Sequence, residues 1–325
     1  MMNRRTYLSS AAVLGTLPLA GSLFAQTKYP AQPVKIIVAL PAGGGVDMLA
    51  RSLGQKLSVN LGQPVIVDNK AGGSGQIGMS QVAKSPADGY TITIAPLSFL
   101  ATNKSIFKTL SYDPETDFVP VARLVTQPMV LVVKDKQKYP NLAAFMAAAK
   151  ANPGKLTYAS SGDGSPQHLV GLLFESHTRT SMLHIPYKGG ALAINDLLSG
   201  TVDCVFAVMT EAMPHIKAGT LLPLGVMGQN RSQLFPKVPT MQEQGVVGLS
   251  VELWIAMLAP ANTPRTIIDQ LNRAVREAFD PELKSKLAET AMDVAPTSPE
   301  ELRQLISREI KVHGDLLKTA GWVPQ

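Results

Sequence analysis

The sequence has a single cysteine, Cys204, among 325 residues, so the chain cannot form an internal disulfide. Cys204 lies in the run VDCVF, which predicts a buried strand, and a buried thiol behaves as a small hydrophobic side chain. Charged residues make up only 17% of the chain, whereas hydrophobic residues make up 45%. This composition excludes a disordered chain and is typical of a globular α/β protein.

Positive charge and long apolar runs are also scarce. The net charge is +6, of which two charges are Arg4 and Arg5 near the N-terminus, and no stripe of lysine and arginine follows. Nucleic acid is therefore not expected as a partner. After the N-terminal segment, no run approaches the roughly 18 apolar residues that a membrane-spanning helix needs. The length is sufficient for two domains.

The motifs of common metal and nucleotide sites are missing. The five histidines, at positions 168, 177, 184, 215 and 313, show no metal-ligand spacing such as H-E-x-x-H. GGGVD (43–47) lacks the Lys-Ser/Thr of a P-loop. GSGQIG (73–78) matches G-x-G-x-x-G, but the next strand ends in TIAPLS, without the carboxylate that would hold a ribose. We therefore expect no metal and no cofactor.

The signature of a serine hydrolase is weak. Such an enzyme places its nucleophile in a strained turn such as G-x-S-x-G, which SSGDGSPQH (160–168) does not supply. An exported hydrolase that uses Ser161 or Ser165 with His168 remains an alternative. We expect instead that His168 packs or hydrogen-bonds under its own loop, and we predict no catalytic residue.

The N-terminus predicts export. MMNRR is a basic segment, and AAVLGTLPLAGSLF is an apolar stretch too short and interrupted to span a membrane. Cleavage after Ala25 would leave a mature protein without a lipobox cysteine, and NRRTYLS fits export by either the Sec or the twin-arginine route. Residues 1–25 are therefore predicted to be a signal peptide, and the mature protein is expected in the periplasm.

Alternating strand-like and helix-like runs predict parallel sheets covered by helices. VKIIVAL (34–40) predicts a strand buried on both faces, and the leucines that follow repeat at the i, i+4 spacing of a helix. Two long extended runs, at 121–133 and 248–260, flank a second α/β unit and predict two crossover strands between two lobes. Two helices are predicted beyond them, beginning at 263–264 and at the capping box SPEE (298–301).

Three loops rich in glycine and serine each end a predicted strand and begin a predicted helix, at 40–47, 69–78 and 160–169. In an open parallel sheet, ligands bind beyond the carboxyl ends of the strands. Helix N-termini there offer free N–H groups and a partial positive charge, which favour an anion. The loops predict a shared anion site, although the glycines could also serve only tight turns. Asp47 is predicted to hold its own loop or a neighbouring one.

These loops carry the motifs KIIVALPAGGGVDMLAR, GQPVIVDNKAGGSGQIG, YASSGDGSPQHL, HIPYKGGALAINDLLSGTVD and WIAMLAPANTP. Together the motifs resemble the extracytoplasmic receptors of tripartite tricarboxylate transporters, the Bug family, over essentially the whole mature chain. The resemblance implies an α/β, two-lobed periplasmic-binding-protein fold (type II, Venus-flytrap) with two crossover strands. It places residues 26–125 and 250–325 in one lobe and residues 126–249 in the other.

The resemblance also implies a small organic acid between the lobes, held by backbone amides, hydroxyls and waters. The positions it assigns to ligand binding are Leu40, Gly43, Gly44, Asp47, Gly73, Ser74, Gly75, Ser98, Ser160, Ser161, Gly162, Gly164, Ser165, His168, Tyr187 and Gly189. Three positions depart from the family pattern. Ala42 stands where the family commonly has proline, Val46 stands where a hydroxyl residue often helps to hold a carboxylate, and Ala207 stands where aspartate is common. These departures favour a smaller or more apolar monocarboxylate over a di- or tricarboxylate.

The sequence thus predicts a periplasmic solute-binding receptor, and not an enzyme, that delivers an organic acid to integral-membrane transporter subunits. A sensory receptor for a two-component system is an alternative, because the same loops would serve it. We expect the mature protein to be monomeric and not to span the membrane.

Overall fold

The computed structural model describes residues 29–319 and 321–324, so the predicted signal peptide lies outside the described residues. The described strands are β1 Val34–Val38, β2 Val65–Asn69, β3 Thr91–Pro96, β4 Phe118–Val133, β5 Thr157–Ser160, β6 Leu183–Pro186, β7 Cys204–Val208, β8 Leu222–Val226, β9 Glu252–Pro260 and β10 Asp293–Val294. The α-helices are α1 Gly45–Leu61, α2 Gln76–Ala83, α3 Asn103–Ile106, α4 Leu142–Ala151, α5 Pro166–Thr178, α6 Gly190–Ser199, α7 Met209–Lys217, α8 Arg265–Ala278, α9 Pro281–Ala288 and α10 Pro299–Thr319. Within these residues, no helix combines the length and apolar character needed to cross a membrane.

The first lobe is built on the strand order β2-β1-β3-β9-β4, in which β1 is parallel to β2 and β3. The apolar stripe of α1, together with α8 and α9, packs on one face of this sheet. Helices α2 and α10 pack on the other face. Because both faces are covered, β1 is apolar at consecutive positions, and Ile36 and Ile37 are both fully buried.

The second lobe continues the same sheet in the order β4-β7-β5-β6, with β8 also paired to β4. Helices α4 and α5 cover one face, where the aromatic rings of Phe145 and Phe174 meet. Helices α6 and α7 cover the other face. Cys204 is buried in the first of these two cores, as its apolar surroundings in the sequence predicted.

Strand β4 joins the lobes. Its residues 118–128 pair with β9, and its residues 129–133 pair with β7 and, in part, with β8. The chain returns through the segment before β9, where the N–H of Val251 donates to the carbonyl of Met227 at 2.7 Å. The predicted extended run at 248–260 becomes a strand only from Glu252, and its first residue, Gly248, has a φ of +84°, which lies outside the strand region.

The strand pairing shows where the parallel strands of each lobe end relative to β4. At the end of β3, Pro96 pairs with Ile255, which in turn pairs with Val125 of β4. At the end of β7, Val208 pairs with Met129 of β4. The carboxyl ends of the parallel strands in both lobes therefore lie toward the same short stretch of β4. We call these two borders the interlobe edges: in the first lobe the ends of β1, β2 and β3, and in the second lobe the ends of β5, β6 and β7.

The C-terminal region contains elements that the sequence did not predict. Three helices follow β9 rather than two, because α9 separates α8 from α10. Helix α9 is only eight residues long and buries only Leu283 and Leu287, so its apolar periodicity is too short to detect. In the second lobe, helix α7 was also not predicted, because Pro214 lies inside it and proline normally ends a helix.

Candidate functional site

The first glycine loop follows β1 and is held by Asp47. The Asp47 side chain is 3% exposed, and its carboxylate accepts hydrogen bonds from the N–H of Gly43, from Arg51 Nε and from Asn69 Nδ2 at 2.9–3.0 Å. Burial alone would raise the pKa of Asp47, but these hydrogen bonds outweigh it and lower the pKa. The carboxylate thus serves its own loop, and Gly43 and Gly44 remain exposed.

The other residues of this loop are positioned by their neighbours. The carbonyl of Leu40 accepts a hydrogen bond from Asn69 Nδ2 at 3.1 Å, which ties the ends of β1 and β2 together. Gly44 is the N-cap of α1 in an extended conformation and has no side chain to cap the helix. Near it, a side chain on Gly45 would lie 3.0 Å from Met292 Cε, so the loop packs closely against the residue that precedes β10.

The second glycine loop follows β2 in a left-handed backbone conformation. Gly73, Ser74 and Gly75 have φ values of +55°, +53° and +88°. Gly73 and Ser74 are exposed, whereas Gly75 is buried. A side chain on Gly75 would lie 2.4 Å from the Phe99 ring, so glycine is required there by packing as well as by φ. Asn103 Nδ2 donates to the Ser74 carbonyl at 3.0 Å and fixes the turn.

The third segment of the first lobe follows β3. Ser98 begins a π-helical turn, Ser98–Thr102, that runs directly into α3. Ser98 is half-buried, and the next residue, Phe99, packs against the second glycine loop. This segment therefore packs against Gly75 through the Phe99 ring.

The loop after β5 in the second lobe is closed on itself. Ser160 is fully buried, and its hydroxyl lies 2.9 Å from the carbonyl of Gly162 and 2.6 Å from His184 Nε2. The N–H of Gly164 donates to His168 Nδ1 at 3.0 Å. The rings of His168 and His184 stack in parallel, with centroids 3.8 Å apart. His168 therefore packs and hydrogen-bonds under its own loop, as predicted.

Burial lowers the pKa of both histidines, and the pKa of His184 falls to about 4. Both rings are neutral at neutral pH, which allows them to stack without charge repulsion. Asp163 and these two histidines lie close enough to suggest a metal site. A single ion, however, cannot lie in the planes of two parallel rings, so this stack does not have the geometry for joint ligation.

Ser161 belongs to a different network from Ser160. Its hydroxyl donates to Gln167 Oε1 at 2.7 Å, and Gln167 Nε2 donates to Glu211 Oε2 at 3.4 Å. Gln167 is 3% exposed and Glu211 is half-buried. Neither residue was predicted, because both lie on helices whose partners come from other parts of the chain. The only sequence signal was a carboxylate, Glu211, three residues after the end of the buried strand β7.

The segment after β6 leads into α6. The N–H of Tyr187 donates to the Ser160 carbonyl at 3.0 Å, and the Tyr187 hydroxyl donates to Asp196 Oδ2 at 2.5 Å. The hydroxyl is therefore used within the lobe. Gly189, with a φ of +123°, is the N-cap of α6 and has no atom within 4 Å of the place where a side chain would lie.

Four helices begin at the interlobe edges without a side-chain cap: α1, α2, α6 and α7. Elsewhere, Asn141 caps α4 and Asp280 caps α9, whereas α8 also begins without a side-chain cap. Helix α5 is capped by Ser165, whose hydroxyl accepts a hydrogen bond from the N–H of His168, with Pro166 at the first helical position as predicted. Uncapped N-termini leave N–H donors and a partial positive charge, which suit a carboxylate.

The structure thus places the predicted residues after the carboxyl ends of the parallel strands of the two lobes. The exposed or open backbone comes from Gly43, Gly44, Gly73, Ser74 and Gly189. Side chains at several other predicted positions already have partners inside their own lobe, among them those of Asp47, Ser160, Ser161, Ser165, His168 and Tyr187. The main chain is therefore the larger source of free donors.

A separate cavity of about 450 Å³ lies beside the crossover strands. Three arginines and three carboxylates are among its lining residues: Arg123, Arg231, Arg308, Glu252, Asp293 and Glu309. Arg123 Nε donates to the carbonyl of Ala295 at 3.1 Å, and burial lowers the pKa of this arginine. An acid bound there would be held by guanidinium groups rather than by main-chain N–H groups.

A two-lobed α/β protein with glycine loops at opposed strand ends has the fold of a periplasmic solute-binding protein. The family described as "Tripartite tricarboxylate transporter family receptor" matches residues 49–322. The chain belongs to this family. Protein BugT of Bordetella pertussis is 38% identical over 311 residues, which cover 95% of each chain.

Two solved structures are similar along their whole length. The structure of R. palustris Rpa4515 with adipate has a TM-score of 0.79 and 34% sequence identity, and the match covers 91% of this chain and 100% of Rpa4515. MatC (Rpa3494) from Rhodopseudomonas palustris with bound malate has a TM-score of 0.73 and 28% sequence identity, and the match covers 89% of this chain and 100% of MatC. The resemblance to the Bug family inferred from the sequence is confirmed.

Members of this family are receptors, so the chain is a binding protein and not an enzyme. The Ser/His hydrolase alternative is therefore wrong, and the geometry agrees. Ser161 donates to Gln167 and not to His168. Ser160 contacts His184, and His184 contacts Asp163, as the three residues of a Ser-His-Asp triad would. Ser160 is fully buried, however, and the lowered pKa of His184 makes it a weak base.

Proposed function

We propose that the chain is a periplasmic receptor that binds a small organic acid between its two lobes and delivers it to the integral-membrane subunits of a tripartite tricarboxylate-type transporter. Family membership supports the receptor role. Two relatives of the same fold carry adipate and malate in their structures. Export through an N-terminal signal, residues 1–25, is part of this proposal.

The observation that carries the proposal is the position of the uncapped helices. Helices α1 and α2 begin on one interlobe edge, and α6 and α7 begin on the other. The N-caps of the first three are glycines, and two of them, Gly44 and Gly189, leave the main chain open to a ligand, whereas Gly75 is buried behind the exposed Ser74. A carboxylate between the edges would accept hydrogen bonds from N–H groups that the fold leaves unpaired.

Capture follows from the connection of the lobes. We assign residues 26–125 and 250–325 to one lobe and residues 126–249 to the other, because separate hydrophobic cores lie on each side of this division. A rotation about β4 and the segment before β9 would bring the two edges together. The ligand favours closure only to the extent that it binds the closed state more tightly.

The polarity of the edges favours a monocarboxylate. Val46 is half-buried against the core of the first lobe and offers no hydroxyl. Ala207 is fully buried in the second lobe and offers no carboxylate. With no hydroxyl or carboxylate at these two positions, one carboxylate end of the ligand is served mainly by main-chain donors.

A thermal-shift panel tests the proposal. The mature protein is melted alone and with mono-, di- and tricarboxylates, amino acids and aromatic acids, each at millimolar concentration. A ligand present at 100 times its Kd stabilises the folded state by about 2.7 kcal/mol, which gives a readily measured rise in melting temperature. We expect a rise with at least one organic acid. No shift with any of these acids would contradict the proposal.

A further inference from the structure

A carboxylate of the protein itself lies on the interlobe edge of the second lobe. Glu211 is in the first turn of α7, three residues after the end of β7. A side chain on Gly190 would lie 2.3 Å from Glu211 Oε1, so the carboxylate rests against the first residue of α6. Glu211 therefore lies where two of the uncapped helices begin.

The position of the Glu211 carboxylate is fixed by hydrogen bonds. Gln167 Nε2 donates to it at 3.4 Å, while Gln167 Oε1 accepts from the Ser161 hydroxyl at 2.7 Å. The backbone of Val208 lies near it and favours its charged form, against the effect of burial on its pKa. A carboxylate can accept about four hydrogen bonds, so capacity remains for a donor from outside the protein.

Glu211 has no cation to balance its charge. Within residues 29–319 and 321–324, no lysine, arginine or histidine forms an ion pair with it, and its half-buried position raises its pKa. A partly buried, unpaired carboxylate is costly, and a ligand donor would relieve that cost. A second carboxylate at the same place would increase it, because like charges a few ångströms apart repel strongly in a partly desolvated site.

We propose that Glu211 determines the specificity of the interlobe site: it accepts a hydrogen bond from a hydroxyl or ammonium group at the far end of a monocarboxylate, and it excludes dicarboxylates. This inference rests on the proposed function. The ligand's carboxylate binds the uncapped helices of the first lobe, and its donor end meets Glu211 of the second lobe on closure.

The test compares acids of equal length by isothermal titration calorimetry. The probes are 6-hydroxyhexanoate, 6-aminohexanoate, hexanoate and adipate, with the corresponding four-carbon series measured in parallel. The mature wild-type protein is expected to bind a donor-terminated acid at least about tenfold more tightly than the diacid of the same length. In Glu211→Gln, this ratio should fall by about tenfold, while Glu211→Asp should retain it.

Glu277→Gln is the matched control, because Glu277 is an exposed carboxylate on α8 in the other lobe. It should leave every ratio unchanged. A wild-type protein that binds the diacid as tightly as the hydroxy acid would overturn the role of Glu211, and this result requires no variant to fold. An unchanged ratio in a folded Glu211→Gln protein would do the same. If the wild-type protein binds no acid of any kind, the proposed function itself fails.

Discussion

The backbone N–H of Gly43 donates a hydrogen bond to Asp47 Oδ2 at 2.9 Å. This contact closes the first glycine loop around the beginning of α1. Arg51 Nε donates to the same oxygen, and Asn69 Nδ2 donates to the other oxygen, Oδ1. Asp47, the charged residue of the loop, therefore has a structural role. Since the Gly43 N–H is already used, the main-chain donors that remain for a ligand begin at the exposed Gly44.

Replacement of Asp47 is expected to destabilise the protein. Asp47→Ala leaves the Asn69 amide and the Gly43 N–H without their acceptor, which should lower the free energy of unfolding by about 1–3 kcal/mol. Denaturant unfolding measures this change. Asp269→Ala is the matched control, because Asp269 also pairs with an arginine four residues away on a helix, but at the surface. It should change stability by less than about 0.5 kcal/mol. Equal effects of the two substitutions would contradict the role given to Asp47.

Gly78 is expected to tolerate no side chain. A methyl group there would lie 2.6 Å from Ala39 Cβ and 2.9 Å from the carbonyl of Lys70, so Gly78→Ala must push α2 away from β1. We expect a loss of about 1–3 kcal/mol. Gly54→Ala is the control, since its methyl group would meet Val65 at an ordinary 3.5 Å and alanine favours a helix. Melting curves should show destabilisation of the first variant and none of the second.

Charge at Ser74 should control acid binding. Ser74 is exposed at the start of α2 with a φ of +53°, a conformation that aspartate and asparagine both accept. Ser74→Asp places a negative charge beside the proposed carboxylate site and should weaken acid binding by about tenfold or more. Ser74→Asn has nearly the same shape without the charge and should weaken it far less. Calorimetry with one bound acid measures both, and equal affinities would place the ligand elsewhere.

The stacked histidines predict a loss of stability in acid. The pKa of His184 is about 4 in the folded protein, because burial and the neighbouring His168 lower it, against about 6.5 in an unfolded chain. As the pH falls below 6.5, the unfolded chain takes up the proton first. The contribution of His184 to stability is therefore complete above about pH 6.5 and declines until about pH 4.

The polar groups around the His184 ring are Ser160, Asp163, His168 and Tyr158, and none of them supplies a close, buried anion to hold a proton on it. The drop in melting temperature between pH 7.5 and pH 4.5 should be smaller in His184→Asn than in the wild type. An identical drop in both proteins would show that other groups cause the acid sensitivity.

Local sequence signals predicted the parts of the fold that depend on neighbouring residues. Asn141 caps α4, and Ser298 and Glu301 form the predicted capping box, with the Ser298 N–H donating to Glu301 Oε2 at 2.7 Å. The order of strands and glycine loops was also predicted, because strand periodicity and turn residues are properties of short segments.

The direction of individual side chains at the candidate site could not be predicted. Ser160 bonds His184 from a different strand, and Ser161 reaches Glu211 only through Gln167. Tyr187 donates to Asp196, nine residues further on. These pairings depend on how strands and helices pack, and a single sequence does not encode them as a local pattern. A list of polar residues in the loops therefore overstates the number of side chains that are free.

The most direct test of the account is a crystal structure of the mature protein with the organic acid that gives the largest thermal shift. The account predicts that the acid's carboxylate lies between the lobes, within hydrogen-bond distance of main-chain N–H groups at the beginning of α1 or α2. A carboxylate found instead on Arg123, in the cavity beside the crossover strands, would contradict it.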